Sequence, residues 1–277
     1  MFDKQKKTAF VTGASSGMGK AIARQLIGDG FQVYVAARRT DEMQDLAAVG
    51  ARILRLDIAR EEDIAAAVAT VLSEVDAIDV LVNNAGFGLF GAVEDTGLDE
   101  ARYQFEVNLF GTARLTQMLL PAMRRKGGGT IVNITSMGGK VYTPLGAWYH
   151  ATKHALEGWS DCLRLELAEF GIRVVVVQPG VIETGFGDVV AARLEKQRGG
   201  AYQRLTRAVA AATRKSYGQG GGTDPQVIGR VVSQAVRARH PRTRYAVGKF
   251  ARPLLFIRKW FGDRMFDRLV MSQVPQA

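Results

Sequence analysis

The stretch TAFVTGASSGMGKAIARQL, residues 8–26, decides the fold of this chain. Residues 8–12 are apolar and β-branched, which predicts a buried strand, and a helical pattern opens at about Lys20. Three glycines lie between the strand and the helix: Gly13, Gly17 and Gly19. Glycine permits a tight turn and lets the backbone approach an anion closely, while a helix amino terminus offers free N–H groups. The stretch therefore predicts a strand, an anion-binding turn and a helix in direct succession.

Apolar runs followed by helical patterns continue along the chain. We predict six further strands, at residues 31–37, 51–57, 78–84, 129–136, 171–179 and 243–248. The runs are continuous rather than alternating, which indicates strands that are buried on both faces of a parallel sheet. Regular alternation of strand and helix predicts an α/β, Rossmann-type, doubly wound fold: a seven-stranded parallel sheet with helices on both faces. Because no linker or repeat interrupts the pattern, we expect a single domain over residues 1–277.

The charge balance narrows the classes of partner. Lys and Arg number 37 against 27 Asp and Glu, which gives a formal net charge of +10. Such an excess can serve nucleic acid, an anionic membrane surface or an anionic small ligand. The sequence has neither a compact basic stripe nor a nucleic-acid reader motif. We therefore predict no nucleic-acid partner and favour an anionic cofactor.

Cysteine content and hydropathy bear on the compartment. A single cysteine, Cys162, excludes an internal disulfide, and its helical context predicts a small core residue. No apolar run has the length of a signal peptide or a membrane span. We expect a cytoplasmic protein, with peripheral attachment to a membrane as the alternative.

The first turn and the end of the second strand together predict the cofactor. A G-x-x-x-G-x-G turn directly after the first strand indicates a dinucleotide site, although the common spacing is G-x-G-x-x-G. NAD sites usually place an acid at the end of the second strand, where this chain has Arg38 and Arg39. Guanidinium groups suit a 2′-phosphate through charge-assisted hydrogen bonds. We therefore predict NADP(H), with Arg38 as the stronger candidate for the phosphate contact.

Asp57 ends the third predicted strand and has two interpretations. Its carboxylate could accept a hydrogen bond from the adenine amino group, or it could cap the helix that begins near Glu61. The sequence leaves both open.

The motif YHATK, residues 149–153, carries the candidate chemistry. In a helix, Tyr149 and Lys153 share one face because they are four positions apart. A tyrosine has a pKa of about 10, which is too high for efficient proton transfer near neutrality. A neighbouring ammonium favours the phenolate, so we predict that Lys153 lowers the pKa of Tyr149.

Seven motifs occur in an ordered set: TGASSGMG (12–19), Asp57, NNAG (83–86), Asn108, Ser136, YHATK (149–153) and PGVIET (179–184). In this set the chain resembles the short-chain dehydrogenase/reductase family over residues 8–184. AARR, WYHATKHALEGWSDCLRLEL and PGVIETGF are similar to its 17β-hydroxysteroid dehydrogenase-like branch. The resemblance implies an NADP(H)-dependent oxidoreductase that transfers hydride between a nicotinamide and an alcohol/carbonyl pair.

The candidate catalytic residues are Asn108, Ser136, Tyr149 and Lys153. Tyr149 would exchange a proton with the substrate oxygen, and Ser136, favoured by its spacing over Thr135, would hydrogen-bond the same oxygen. The resemblance implies that Lys153 also binds the nicotinamide ribose, and that Asn108 kinks its helix and holds a water in a relay to the lysine. His150 and His154 lack a third ligand, so we predict helix-face residues and no catalytic metal.

The predicted cofactor contacts follow the carboxyl ends of the strands. They are Gly13, Ser15, Ser16, Gly17, Met18 and Gly19; Arg38 and Arg39; Asp57 and Ile58; Asn84, Ala85 and Gly86; Tyr149 and Lys153; and Pro179, Gly180, Ile182 and Thr184. Asn83, beside Asn84, could instead tie neighbouring strands together. We expect the backbone of Ile182 and the hydroxyl of Thr184 to reach the nicotinamide carboxamide or the pyrophosphate.

The substrate side is the least determined. Residues 185–225 should form a lid whose apolar side chains favour a lipophilic small-molecule substrate, steroid-, retinoid- or other lipid-like, although its basic residues could favour an anionic one. Residues 249–277 form an amphipathic extension, interrupted by Gly262. Its helix could pack on its own domain, on a partner subunit of a homo-oligomer (dimer or tetramer), or on an anionic membrane. The alternative to an enzyme is a catalytically silent NADP(H)-sensing or scaffold protein of the same fold.

Overall fold

Seven parallel strands form one sheet in the computed structural model, which describes residues 6–196, 200–218 and 220–274. Their bounds are β1 Thr8–Thr12, β2 Gln32–Ala37, β3 Arg52–Arg55, β4 Val80–Asn83, β5 Gly129–Ile134, β6 Ile172–Pro179 and β7 Arg244–Val247. The strand order is β3-β2-β1-β4-β5-β6-β7, and each neighbouring pair is parallel. The predicted doubly wound fold with seven parallel strands is confirmed.

Helices connect the strands and cover both faces of the sheet. In the described parts of the chain the α-helices are α1 Gly17–Gly28, α2 Gln44–Ala47, α3 Glu61–Glu74, α4 Leu98–Phe105, α5 Gly111–Lys126, α6 Ala147–Glu166, α7 Phe186–Lys196, α8 Gln203–Tyr217, α9 Gln226–Arg237 and α10 Ala251–Ser272. α1 and α9 contribute to the apolar cluster on one face, whereas α3, α5 and α6 contribute to the cluster on the other.

The strands are buried because successive side chains point to opposite faces and both faces are covered. Phe10 in β1 belongs to the cluster with α3 and α5, and the next residue, Val11, belongs to the cluster with α1 and α9. Both side chains are fully buried. This arrangement explains why the strand sequences are continuous apolar runs.

The strand order reverses between β1 and β4, which creates a crevice at the carboxyl ends of these strands. In doubly wound sheets, ligands bind in the crevice at such a switch point. Thr12 ends β1 and joins the two strands, because its hydroxyl accepts hydrogen bonds from the N–H groups of Asn84 and Ala85, each at 3.0 Å. The fold therefore brings the first turn and the NNAG segment together.

A π-turn at Glu106–Phe110 joins α4 and α5 into one continuous helix. π-turns inside α-helices are frequent at functional sites, and this one contains Asn108. The helix also lies very close to the loop after β3, since a Cβ at Gly111 would be 1.9 Å from the carbonyl oxygen of Ile58. The π-helical segment places Asn108 at an irregular point of this helix, and the kink stays a prediction.

α10 is broken where its sequence pattern is interrupted. Gly262 has φ 72°, outside the helical range. Two buried side chains, Ala251 and Phe266, attach the helix to the body, and the Phe266 ring meets the Tyr142 ring at 5.2 Å. Most of the remaining α10 side chains are partly or fully exposed.

Some expectations fall short or fall outside the described residues. β3 is shorter than the predicted run 51–57, and Cys162 is exposed rather than in the core. Residues 197–199 and 219 of the predicted lid, and 275–277 of the extension, lie outside the described residues. Within the described ranges, no helix has both the length and the apolar character needed to cross a membrane.

Candidate active site

The turn after β1 is packed so closely that only glycine fits at two of its positions, Gly13 and Gly19. Gly13 has φ 67° and donates its N–H to the carbonyl of Ala36 at 2.8 Å. A Cβ at Gly19 would lie 2.3 Å from the carbonyl oxygen of Gly13 and 2.5 Å from Nδ2 of Asn84. The glycines therefore allow α1 to start directly against the turn, where a backbone cradle for phosphate is expected.

The amino terminus of α1 is free to bind an anion. Ser16 precedes the helix in an extended conformation, and its side chain makes no capping hydrogen bond. The first turn of α1 contains no acidic residue. The N–H groups and the positive end of the helix dipole thus remain unneutralised, which fits a pyrophosphate.

Asn84 completes the wall of this cradle. Its Nδ2 donates to the carbonyl oxygens of Thr12 at 3.0 Å and Gly13 at 3.3 Å. Its Oδ1 is buried and accepts no hydrogen bond from the described residues. A buried oxygen without a donor fits a site that receives a polar ligand group.

Asn83, the neighbouring asparagine, has the structural role that the sequence left open. Its Nδ2 donates to Oδ1 of Asn133 at 2.9 Å and to the hydroxyl of Thr116 at 3.1 Å. These bonds tie β4 to β5 and to α5. The structure therefore separates the two asparagines of the motif by role.

Arg38 and Arg39 extend from the end of β2 beside the turn. Both are exposed, and neither forms an ion pair with a described residue. Arg38 donates to the hydroxyl of Tyr103 at 3.3 Å, and Arg39 donates to the hydroxyl of Ser15 in the turn at 3.4 Å. Arg39 is thus in direct contact with the turn, although the sequence favoured Arg38.

Asp57 makes a local turn rather than a helix cap. Its Oδ1 accepts the N–H of Ala59 at 3.1 Å, while Arg60 precedes α3. Asp63 reaches back from α3 to accept the N–H of Asp57 at 3.0 Å, a contact that the sequence analysis missed. The carboxylate of Asp57 is only partly buried, so adenine recognition stays a prediction.

The segment after β6 closes the crevice on the other side. Gly180 donates its N–H to Val247 at 2.8 Å, and a Cβ there would lie 2.1 Å from the carbonyl oxygen of Lys249. Thr184 lies against the turn, with its methyl 3.0 Å from the position of a Cβ on Gly17. Thr184 therefore lies next to the turn, while its hydroxyl accepts the N–H of Phe186 at 3.3 Å, and its pyrophosphate contact stays a prediction.

The structure brings Ser136, Tyr149 and Lys153 together at the carboxyl end of β5. The Ser136 hydroxyl lies near enough to the Tyr149 phenol to lower its pKa. Ser136 Oγ also accepts the N–H of Gly138 at 3.0 Å, which fixes the hydroxyl at the start of the following turn. Thr135, the rival hydroxyl, points elsewhere and contacts Glu157.

The predicted effect of Lys153 on Tyr149 is wrong. Burial raises the pKa of Tyr149, and the Ser136 hydroxyl offsets only part of this rise. Lys153 instead donates its Nζ to the carbonyl of Ile134 at 3.0 Å. Burial lowers the pKa of Lys153 to about 8, against the opposing effect of the Glu157 carboxylate.

Asn108 holds the loop after NNAG in place. Its Oδ1 accepts the N–H of Phe87 at 3.1 Å, and its Nδ2 donates to the Phe87 carbonyl and to the Thr152 hydroxyl, each at 3.0 Å. A Cβ at Gly86 would lie 3.1 Å from this Oδ1 and 3.7 Å from the Lys153 Nζ. The side chain of Asn108 is thus adjacent to the lysine, and it links α6 to the crevice.

His150 is a buried structural residue, which corrects the prediction of a helix-face histidine. Its Nε2 accepts the N–H of Thr143 at 3.1 Å, so Nδ1 carries the proton that it donates to the Gly138 carbonyl at 3.0 Å. Burial lowers its pKa to about 4. The histidine therefore holds the turn that follows Ser136.

No group of three or more His, Cys, Asp or Glu side chains among the described residues could hold a metal ion.

Aromatic rings from the predicted lid lie against Tyr149. α7 and α8 pack on each other, and the Phe186 ring lies 5.5 Å from the Tyr149 ring. The Phe90 ring, from the loop after β4, lies 5.6 Å from the Tyr149 ring. Tyr217 at the end of α8 lies 5.8 Å from Phe186. Burial raises the pKa of Tyr217, and the neighbouring Tyr149 adds to this rise. The predicted lid, residues 185–225, contains Phe186 and Tyr217, but no local motif singles out Tyr217 or Phe90.

Comparisons with known proteins agree with this geometry. The sequence profile described as short chain dehydrogenase matches residues 7–195. The chain is similar to a 3-ketodihydrosphingosine reductase of Bacteroides thetaiotaomicron, with 34% identity over 265 residues that cover 95% of this chain and 96% of that protein.

Solved structures show the same likeness. A short-chain dehydrogenase from Streptomyces avermitilis gives a TM-score of 0.80 at 34% identity, covering 98% of this chain and 96% of that one. A variant of actinorhodin polyketide ketoreductase with NADPH gives a TM-score of 0.73 at 33% identity, covering 85% and 92%.

Proposed function

The chain belongs to the short-chain dehydrogenase/reductase family, and we propose that it is an NADP(H)-dependent oxidoreductase that interconverts a carbonyl and a secondary alcohol. The observation that carries this proposal is the meeting of Ser136, Tyr149 and Lys153 beside the crevice. We further propose a lipophilic substrate and a single catalytic domain, with residues 185–225 as its lid.

The residues of the crevice fit the cofactor. The glycine turn and the free end of α1 would hold the pyrophosphate, and Thr184 would flank it. Arg38 and Arg39 would bind the 2′-phosphate, since both are exposed guanidinium groups beside the turn. When bound, the nicotinamide supplies or accepts the hydride.

The side chains would handle the proton and the charge on the substrate oxygen. During reduction, the Tyr149 hydroxyl donates its proton to the carbonyl oxygen, and the Ser136 hydroxyl donates a hydrogen bond to the same oxygen. Because burial raises the pKa of Tyr149, the phenol carries near neutral pH the proton that reduction of a carbonyl requires. Lys153 would bind the ribose hydroxyls of the cofactor.

Two observations support a lipophilic substrate. Phe90 and Phe186 pack against Tyr149, and Tyr217 packs against Phe186. The apolar cluster around these rings continues through Val190 and Leu194. The Bacteroides relative carries the name of a reductase of a ketone, 3-ketodihydrosphingosine. The basic lid residue Arg193 is used within the protein, where it pairs with Glu100 at 2.8 Å, and so gives no support for an anionic substrate.

The alternative, a silent NADP(H)-sensing or scaffold protein, predicts binding without turnover. The purified protein is mixed with NADPH or NADH and a panel of ketones, aldehydes and quinones of graded apolar surface, and cofactor oxidation is followed. We expect NADPH-dependent reduction with kcat/KM rising with apolar surface. NADPH binding without turnover of any carbonyl would support the alternative, and a preference for NADH would contradict the cofactor proposal.

We also propose that the protein forms a homo-oligomer and is located in the cytoplasm.

We further propose that α10 makes peripheral contact with an anionic membrane. Three neighbouring aromatic side chains of α10 are 56%, 65% and 57% exposed: Phe256, Trp260 and Phe261. The same helix carries five basic residues, Arg252, Arg258, Lys259, Arg264 and Arg268, and the Lys259 ammonium lies 5.0 Å from the centre of the Trp260 ring. Exposed aromatic rings with flanking cations are suited to an anionic lipid interface.

Cosedimentation with vesicles tests the membrane contact. The double variant Phe256→Ala/Trp260→Ala should lose binding to phosphatidylglycerol vesicles, whereas Leu165→Ala, which removes another exposed apolar side chain, should keep it. Substitution is preferable to truncation because Phe266 packs on Tyr142. No binding of the unaltered protein at low salt would contradict this proposal.

A further inference from the structure

α6 carries two acidic side chains, Glu157 and Asp161, that the proposed reaction does not use. Tyr149, Lys153, Glu157 and Asp161 follow one another at four-residue intervals and share a helix face. The side chain of Glu157 is completely buried, at 0% exposure. Burial of a carboxylate is costly unless hydrogen bonds and an opposite charge compensate for it. The groups that compensate for the burial of the Glu157 carboxylate therefore indicate its role.

Glu157 accepts hydrogen bonds from residues in, or directly after, three different strands. Its Oε1 accepts the Thr135 hydroxyl at 2.6 Å and Nε2 of Gln178 at 3.0 Å, after β5 and in β6 respectively. Its Oε2 accepts Nε of Arg244 in β7 at 2.9 Å. Arg244 also donates Nη2 to Asp161 at 2.6 Å, so α6 and β7 share a two-carboxylate clamp.

The Glu157 carboxylate is linked to two of the candidate catalytic residues, Ser136 and Lys153. Thr135 directly precedes Ser136, so the bond to Glu157 fixes the end of β5 at the hydroxyl of the site. Lys153 lies one turn before Glu157, and the negative carboxylate favours its ammonium form. Burial acts in the opposite direction and lowers the pKa of Lys153 to about 8.

We propose that Glu157, with Arg244 as its counter-ion, is a positioning residue for the hydride transfer: it fixes the strand end that bears Ser136 and places a negative charge one helical turn from Lys153. This inference rests on the proposed function. The charged and titratable groups that face the cluster are Tyr149 and Asp161 from α6, Arg244 from β7, and Lys140 from the turn after Ser136, whose Nζ lies 3.7 Å from Glu157 Oε2.

Two substitutions should move the pH profile in opposite directions. Loss of the Lys153 proton should end carbonyl reduction on the alkaline side of the profile. Glu157→Gln removes a negative charge near Lys153, so the alkaline limb should move down by about one pH unit. Arg244→Gln removes a positive charge from the same cluster, so the limb should move up. Glu157→Asp, which keeps the charge, should restore the limb towards its original position.

Controls separate this effect from loosened packing. Glu166→Gln, an exposed substitution on the same helix, should leave the limb in place. Movement of the limb in the same direction for Glu157→Gln and Arg244→Gln, or no movement for Glu157→Gln, would overturn the proposal. If Glu157→Gln does not fold, Arg244→Gln decides alone: an upward shift supports the proposal, and a downward shift or none overturns it.

NADPH binding gives a second reading that does not depend on turnover. The dissociation constant of NADPH is measured by fluorescence over a range of pH. It should increase once the pH exceeds the pKa of Lys153, and this increase should begin at lower pH in Glu157→Gln. If the unaltered protein reduces no carbonyl, the proposed function fails, yet this binding curve still tests the role of Glu157. Identical curves for both proteins would overturn the role of Glu157 while leaving the proposed function in place.

Discussion

The two sides of the crevice are built in different ways. On the nucleotide side, backbone atoms of one short turn do most of the shaping, and a Cβ at Gly19 would collide with the Gly13 carbonyl at 2.3 Å. On the lid side, aromatic rings from distant segments meet around Tyr149, as Phe90 and Phe186 show. Backbone geometry suits a ligand that does not vary, whereas side-chain packing can be changed residue by residue.

This difference predicts that the two sides can be disturbed separately. A substitution in the turn should act on cofactor binding, and a substitution in the lid should act on the carbonyl substrate. The predictions below test that separation.

The largest effect is expected at Gly19. Gly19→Ala places a Cβ against the backbone of Gly13, so the turn must shift. We expect NADPH affinity to fall by about 100-fold, equivalent to about 3 kcal/mol, as measured by calorimetry. The control is Gly28→Ala in the same helix, where a Cβ meets nothing within 4 Å and binding should be retained. Equal affinities for Gly19→Ala and the unaltered protein would break the account of the turn.

The arginines should control the choice between cofactors. Arg38→Asp should lower the ratio of kcat/KM for NADPH to that for NADH by about 100-fold, as expected for charge-assisted hydrogen bonds. Arg39→Ser tests whether the arginine that contacts Ser15 contributes equally. Arg237→Asp, the same charge change on α9, should leave the ratio unaltered. An unchanged ratio in both Arg38 and Arg39 variants would refute the NADP(H) prediction.

The lid should act on substrate alone. Phe186→Ala removes a ring that packs on Tyr149, so kcat/KM for an apolar ketone should fall about tenfold, or about 1.4 kcal/mol, with the NADPH dissociation constant unchanged. Val189→Ala lies on the same helix with a side chain that is 62% exposed and should have no effect. A loss of NADPH affinity in Phe186→Ala would show that the two sides are not separate.

The last effect is expected from His150, and it concerns stability rather than binding or turnover. Because the pKa of His150 is about 4 in the folded protein and near 6.5 in the unfolded chain, protons bind the unfolded chain first as pH falls. Stability is therefore lost between about pH 6.5 and pH 4, by up to about 3 kcal/mol. Urea unfolding of His150→Gln at pH 7 and pH 5 should lack this component, whereas exposed His154→Gln should retain it. The same pH dependence in all three proteins would contradict the assignment.

The sequence predicts the fold and the glycine turn after β1 well because both depend on local patterns. Buried strands appear as continuous apolar runs, and the glycine turn needs no partner to be recognised. His150 was placed on a helix face because its partners, Gly138 and Thr143, lie in a turn whose path the sequence does not specify. Tyr217 was not singled out for the same reason, since only the packing of α8 on α7 brings it near Tyr149.

The chemistry of the pair in YHATK shows a further limit of sequence. The four-residue spacing predicts that Tyr149 and Lys153 share a face, and they do. It does not predict burial, which raises the pKa of the tyrosine and lowers that of the lysine. The direction of a pKa shift depends on the surroundings of a side chain as well as on its nearest charge.

The central claim is that Tyr149 transfers the proton while the rest of the crevice binds the cofactor. Its most direct test is the turnover number of Tyr149→Phe with NADPH and the best carbonyl of the panel, measured beside its NADPH dissociation constant. We expect turnover to fall by about 1000-fold, the scale of general acid catalysis, with the dissociation constant within about threefold of the original. Equal turnover in the two proteins would contradict the claim.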